Sequence, residues 1–195
     1  WFDDSEAIEI ATERFEKQFG NNDNIGVLVV ADDVFHPDVL KAIKALGDEL
    51  LAKVPYADEV TSLTELEVSV GNEEGIQIIN PFEDGIPDDP AKIEGIRKLI
   101  LSRTSIVDKL VSADCKETWI SLELLEYPEP DVWKKETTTD PMFQVSEAAI
   151  PIITDPKWKS DLYTLKPAGM PYSETEERDF FGDRKSTRLN SSHYS

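Results

Sequence analysis

Ile25-Gly26-Val27-Leu28-Val29-Val30-Ala31, followed by Asp32-Asp33-Val34-Phe35-His36-Pro37-Asp38, decides how the chain folds. The first seven residues are apolar and rich in β-branched side chains. The run is too short to span a bilayer and has the length of a strand buried on both faces. Asp32-Asp33 ends it. Pro37 suits the first position of a helix, and Asp38 sits where the helix dipole favours an anion. Val39, Ile43, Leu46, Leu50 and Val54 recur at steps of three and four, one apolar helical face. Pro55-Tyr56-Ala57-Asp58 stops the helix, and Glu59 to Leu63 resumes extended structure. Asn24 to Ser62 therefore predicts strand, helix, strand, with a right-handed crossover that lays the helix on a sheet.

Outward from this unit the pattern continues in both directions. Upstream, Ser5 caps a predicted helix with Ile8, Ala11, Phe15 and Phe19 at helical spacing, closed by Gly20. Asn21-x-Asp23 with Gly26 has a trace of calcium-loop spacing. However, Ile25 stands where an oxygen ligand is required and Asp32 where a bidentate Glu belongs, so the segment is an Asx-type turn. Downstream, Leu66, Val68 and Val70 alternate with polar residues, Gly71 to Gly75 forms a hairpin loop, and Ile76 and Ile78 return on a partner strand. Asp89-Pro90 starts a second helix, with Ile93, Ile96 and Ile100 on its buried face and Gly95 weakening it. Glu117 to Leu125 alternates again as a strand.

This order predicts an α+β fold: a ferredoxin-like split βαβ sandwich, an antiparallel sheet with helices on one face, plus an irregular insertion. The expected organisation is an N-terminal helix and linker at 1–24, a ferredoxin-like unit at 25–126 and an insertion at 127–161. A second, truncated subdomain would begin at 162–182, with a short strand near Leu162 to Leu165 and a Ser173-capped helix from Glu174 to Phe181. Asp131 to Lys159 shows little periodicity and is expected to hold short helices at most. Residues 183–195 are basic and hydroxyl-rich. Their Asp-Arg-Lys-Ser start resembles a translated sequencing adapter, so they are set aside as an artefact tail.

Composition bounds the function. The chain of 195 residues is 39% apolar and 31% charged, with a net charge of -20. It can bury one good core or two small ones. Such acidity argues against nucleic acid and against direct docking on anionic lipid. It gives a solvated surface that maintains solubility, or a face that attracts cationic ligands. Cys115 is the one cysteine, so no intramolecular disulfide forms. No signal peptide or membrane-spanning run is visible. The start on Trp1-Phe2, without a Met, marks an expected fragment.

Catalytic and metal signals are weak. His36 before Pro37 reads as a helix-start residue rather than a base. One cysteine and one credible histidine do not make a zinc cluster, and Gly26, Gly71 and Gly75 do not make a phosphate loop. Asp32-Asp33, Glu73-Glu74 and Asp88-Asp89 read as solvated turn acids. Small acyl-phosphate hydrolases share the ferredoxin-like order but need an Arg after the first strand, where this chain has Ala31-Asp32-Asp33. No catalytic, cofactor-binding or metal residue is assigned, and no enzyme is expected. A hydrolase using paired acids ranks last among the readings.

Several residues together resemble one family. They are Phe15-x-x-x-Phe19-Gly20 before the Val-rich strand, Asp32-Asp33-Val34-Phe35 leading to Pro37-x-Val39-Leu40, and Asp58-Glu59-Val60-Thr61-Ser62-Leu63-Thr64. Ile86-Pro87-Asp88-Asp89-Pro90 and Gly169-Met170-Pro171-Tyr172 complete the set. In order and spacing they are similar to the first large extracytoplasmic loop of RND-superfamily exporters, in the branch of the MMPL and patched-like lipid transporters, over roughly Trp1 to Gly182. The resemblance implies a periplasmic porter domain of a cytoplasmic-membrane protein, driven by protons through ionisable residues in membrane helices outside this chain. It implies an amphiphilic or lipid substrate. Its partners would be the remaining transmembrane and porter parts of the same exporter and, in an oligomer, further copies. Trp133, Phe143 and Trp158 are the candidates to line a substrate cleft, against the plainer reading that they pack the insertion onto the domain. The alternative is a free-standing acidic α/β ligand-binding or regulatory module.

Overall fold

The computed structural model describes residues 4–19 and 24–169. Strand β1 (Ile25–Ala31) is the centre of a four-stranded antiparallel sheet. Its neighbours are β5 (Glu117–Leu124) on one side and β6 (Tyr163–Ala168) on the other, and β2 (Ala57–Thr61) lies beyond β5. The register runs Leu28 opposite Trp119 and Lys166, and Val60 opposite Leu122. Because β5 sits between β1 and β2, those two strands run parallel without touching. The chain is thus α+β, with an antiparallel sheet and helices on it.

Alternation along β1 sends its two faces to different helices. Helix α1 (Asp4–Phe19) covers the face of Gly26 and Leu28. Phe15 lies so close over Gly26 that a Cβ there would stand 2.5 Å from the ring. Phe15 also meets Phe19 at 4.9 Å and Trp119 at 5.5 Å between ring centroids, closing that side with aromatic packing. The opposite face carries Ile25, Val27, Val29, Ile120 and Leu122, all buried, beneath helix α2 (Pro37–Lys53). The predicted stripe of α2 is the buried one: Val39, Ile43, Leu46 and Leu50 face the sheet, and Gly47 lets the helix approach Val60. His36 starts it, its Nδ1 accepting from the Asp38 N–H at 3.2 Å.

Three elements lie elsewhere than expected. Strands β3 (Val68–Asn72) and β4 (Gly75–Ile79) form a hairpin as predicted, but it is a separate two-stranded ribbon. Alternation reports a strand with one covered face and not which strand lies beside it. Helix α3 (Pro90–Leu101) buries only Ile93 and Ile100, and no strand of the sheet is among its principal neighbours. The segment expected to be irregular contains short α4 (Pro130–Trp133) and then α5 (Pro141–Ile153), a helix of 13 residues packed beside α2. Pro141 and Pro151 look like breakers. Pro141 occupies the first helical position, where its missing N–H costs nothing, and Pro151 falls in the last turn.

Tyr163–Ala168, expected to lead into another unit, pairs along the whole of β1 as an edge strand. Pro167 is tolerated there because an edge has a side with no ladder bond to lose. Residues 170–195, including the helix expected from Glu174 and the 183–195 tail, lie outside the described residues, as do Asn21 and Asp23 of the rejected calcium loop. Among the described residues no helix is long and apolar enough to cross a membrane.

Candidate functional site

The three aromatic candidates lie on three successive elements of the 127–161 segment. Trp133 ends α4, half-buried, with the Lys134 ammonium 5.4 Å from its ring centroid. Phe143 lies in the first turn of α5, also half-buried. Trp158 follows α5 and packs against the core; its Nε1–H donates to the Ile152 carbonyl at 2.8 Å, and Lys157 stands over the ring at 5.0 Å. That tryptophan fastens the end of α5, and Lys157 extends the fastening to α2 through Glu49 at 2.5 Å. Lys157 and Lys53 together hold the Glu49 carboxyl below its usual range.

A cleft of about 490 Å³ opens between α3 and the loop after β4. Its walls are apolar: Ile79, Pro81 and Ile86 from β4 and the loop, Ile96 and Leu99 from the helix. Asp84 and Lys92 are the charged side chains of its lining. Gly95 stands on the helix wall with open space where a Cβ would be. The spacing of Ile96 and Leu99 beside Ile93 and Ile100 widens the apolar stripe of α3 beyond what a single contact face needs. That surplus is the signal in the sequence that marks this wall.

Local chemistry fixes the shape of the cleft. Asn80 accepts from the Phe82 N–H at 2.9 Å and donates to the Thr64 carbonyl at 3.2 Å, and Phe82 is fully buried as the anchor of the loop. Asp89 caps α3 by accepting from the Ala91 N–H at 2.9 Å. Asp88 pairs with Lys41 on α2 at 3.1 Å. On the other side of α3, Arg97 forms a two-pronged bond to Asp33, at 2.9 and 2.7 Å, and lies over the Phe35 ring at 4.9 Å. The Arg97 guanidinium, with the Phe35 N–H, holds the Asp33 carboxyl below its usual range, while partial burial opposes them. Of the paired acids of the sequence, Asp89 is thus placed as a cap and Asp33 and Asp88 as clamps, while Glu73-Glu74 form the exposed hairpin loop.

The arrangement can receive an apolar group of modest size beside one acid and one base. Among the described residues no group of three or more His, Cys, Asp and Glu is placed to hold a metal ion. Comparison of the chain with family models, with curated proteins and with solved structures found no match.

Proposed function

We propose that the chain is the substrate-passage (porter) unit of a proton-driven exporter of the RND superfamily, MMPL and patched-like branch, handling lipids or other amphiphiles on the outer side of the cytoplasmic membrane. The observation that carries the reading is the interleaving of the sheet. Two halves, β1–α2–β2 and β5–α5–β6, insert a strand into each other to give the order β2-β5-β1-β6, with α2 and α5 packed side by side. We read this order as supporting the split βαβ plan of a ferredoxin-like sandwich, with the ribbon and α3 as an insertion between its halves. The sequence resemblance supplies the rest.

In this reading the unit hinges or slides against further porter parts, and the apolar cleft beside α3 takes part of the amphiphile's hydrocarbon. Proton coupling belongs to membrane helices outside these residues. The test uses the complete open reading frame with a cysteine at the exposed hairpin tip, Glu74→Cys. A membrane-impermeant maleimide should label it in intact spheroplasts, and the protein should sediment with membranes. Labelling that needs lysis, with the protein in the soluble fraction, overturns the reading in favour of the free-standing acidic module.

A further inference from the structure

The β3–β4 ribbon carries features that neither the cleft nor the sheet uses. Ile76 and Ile78 are 82% and 64% exposed, side by side on one face of β4, while Ile79 and Val68 on the opposite face turn inward. Two neighbouring isoleucines on a protruding ribbon form a patch rather than scattered apolar surface.

The backbone points the same way. The hairpin has a two-residue loop, Glu73-Glu74, closing on the pair Asn72–Gly75. Such a loop closes on a hydrogen-bonded pair, and bonded and non-bonded pairs alternate from there. Gly71–Ile76 and Ser69–Ile78 are therefore the non-bonded pairs, whose peptide groups point out of the ribbon. On the β3 edge the outward Ser69 carbonyl accepts from Arg103 at 2.8 Å. On the β4 edge, among the described residues, no hydrogen bond meets the outward groups of Ile76 and Ile78. Arg103 thus occupies one outward group of the β3 edge, at Ser69, while the β4 edge is open at both Ile76 and Ile78.

Charge selects the occupant. Residues 54–91 contain ten Asp and Glu and no Lys, Arg or His. Glu73 and Glu74 flank one end of β4 and Glu83 and Asp84 the other, all exposed. A second copy pairing β4 against β4 would bring these acids together. A segment alternating basic and apolar residues would instead set its cations among them and its apolar side chains beside Ile76 and Ile78. We infer that the open edge of β4 is a docking site for an extended basic-apolar segment of a partner protein, added to the ribbon as a third strand. The inference does not depend on the export reading.

The test titrates the full chain into a fluorescein-labelled peptide of alternating lysine and isoleucine, with a lysine–serine peptide of equal charge as control. The isoleucine peptide should bind at least about tenfold more tightly. Ile78→Pro removes an outward N–H without removing a β3–β4 bond and should abolish that preference at unchanged circular dichroism. The Ile76→Ser, Ile78→Ser double variant keeps the backbone and should reduce the preference. Equal binding of both peptides overturns the inference, as does undiminished preference in both variants. A dimer in light scattering that Ile78→Pro dissociates also overturns it, by seating a second copy on β4.

Discussion

Arg97 shows how one side chain can tie separate parts of this fold. It sits on α3, clamps Asp33 at the start of the β1–α2 connection and covers Phe35. Asp33 is 41% exposed and Arg97 22%, so solvent screening limits the pair to about 1 kcal/mol even with two-pronged geometry. A double-mutant cycle with Asp33→Asn and Arg97→Ala, read by urea denaturation, should return a coupling of about that size; additive losses would mean the pair is idle. Since the folded state lowers the Asp33 pKa, its contribution is present above the unfolded value of 3.8 and is lost as pH falls through the folded one. The wild type should therefore lose more Tm than Asp33→Asn on acidification below that value, and parallel curves would refute the linkage. Gly26 makes a second residue-scale case. Gly26→Ala drives a methyl into the Phe15 ring and should cost about 1–3 kcal/mol, part of it recovered in Gly26→Ala with Phe15→Leu, by thermal unfolding.

Among the elements, α2 and α5 are the pair on which the sheet depends. Val145, Ala149 and Ile152 are buried on α5, whereas α3 buries two residues. Hydrogen exchange should be slow in α5, as in α2, and distinctly faster in α3; equal protection of α3 would mean it belongs to the same cooperative unit. The strand, helix, strand run at the centre was legible because its signals agree: an apolar run of strand length, a proline and an acid at the helix start, and one stripe. Helix α5 was legible too, in the spacing of Pro141, Val145, Ala149 and Ile153, but its two prolines outweighed the stripe. What the residues could not tell is which strand lies beside which. Val68 and Val70 alternate as a sheet strand would, and Leu165 alternates no more clearly, yet only the latter reaches β1. The same gap hid the cleft, since Ile79 and Leu99 meet only once the ribbon and α3 are placed.

For the whole molecule, charge is the dominant feature. A net charge of -20 on one domain-sized chain loads the folded state with self-repulsion, which added salt screens. Its Tm should rise on going from low salt to near-physiological NaCl. A fall would mean that ion pairs such as Glu49–Lys157 outweigh the repulsion. The interleaved strand order carries a consequence for biosynthesis. As the polypeptide leaves the ribosome, β1 emerges well before the two strands that flank it, which begin only at residues 117 and 163. Until then its peptide groups have no ladder, and its valines have helical cover alone. Closure over such long separations is slow, so nascent chains halted before Ala168 should expose a sticky apolar strand and be the forms that chaperones hold.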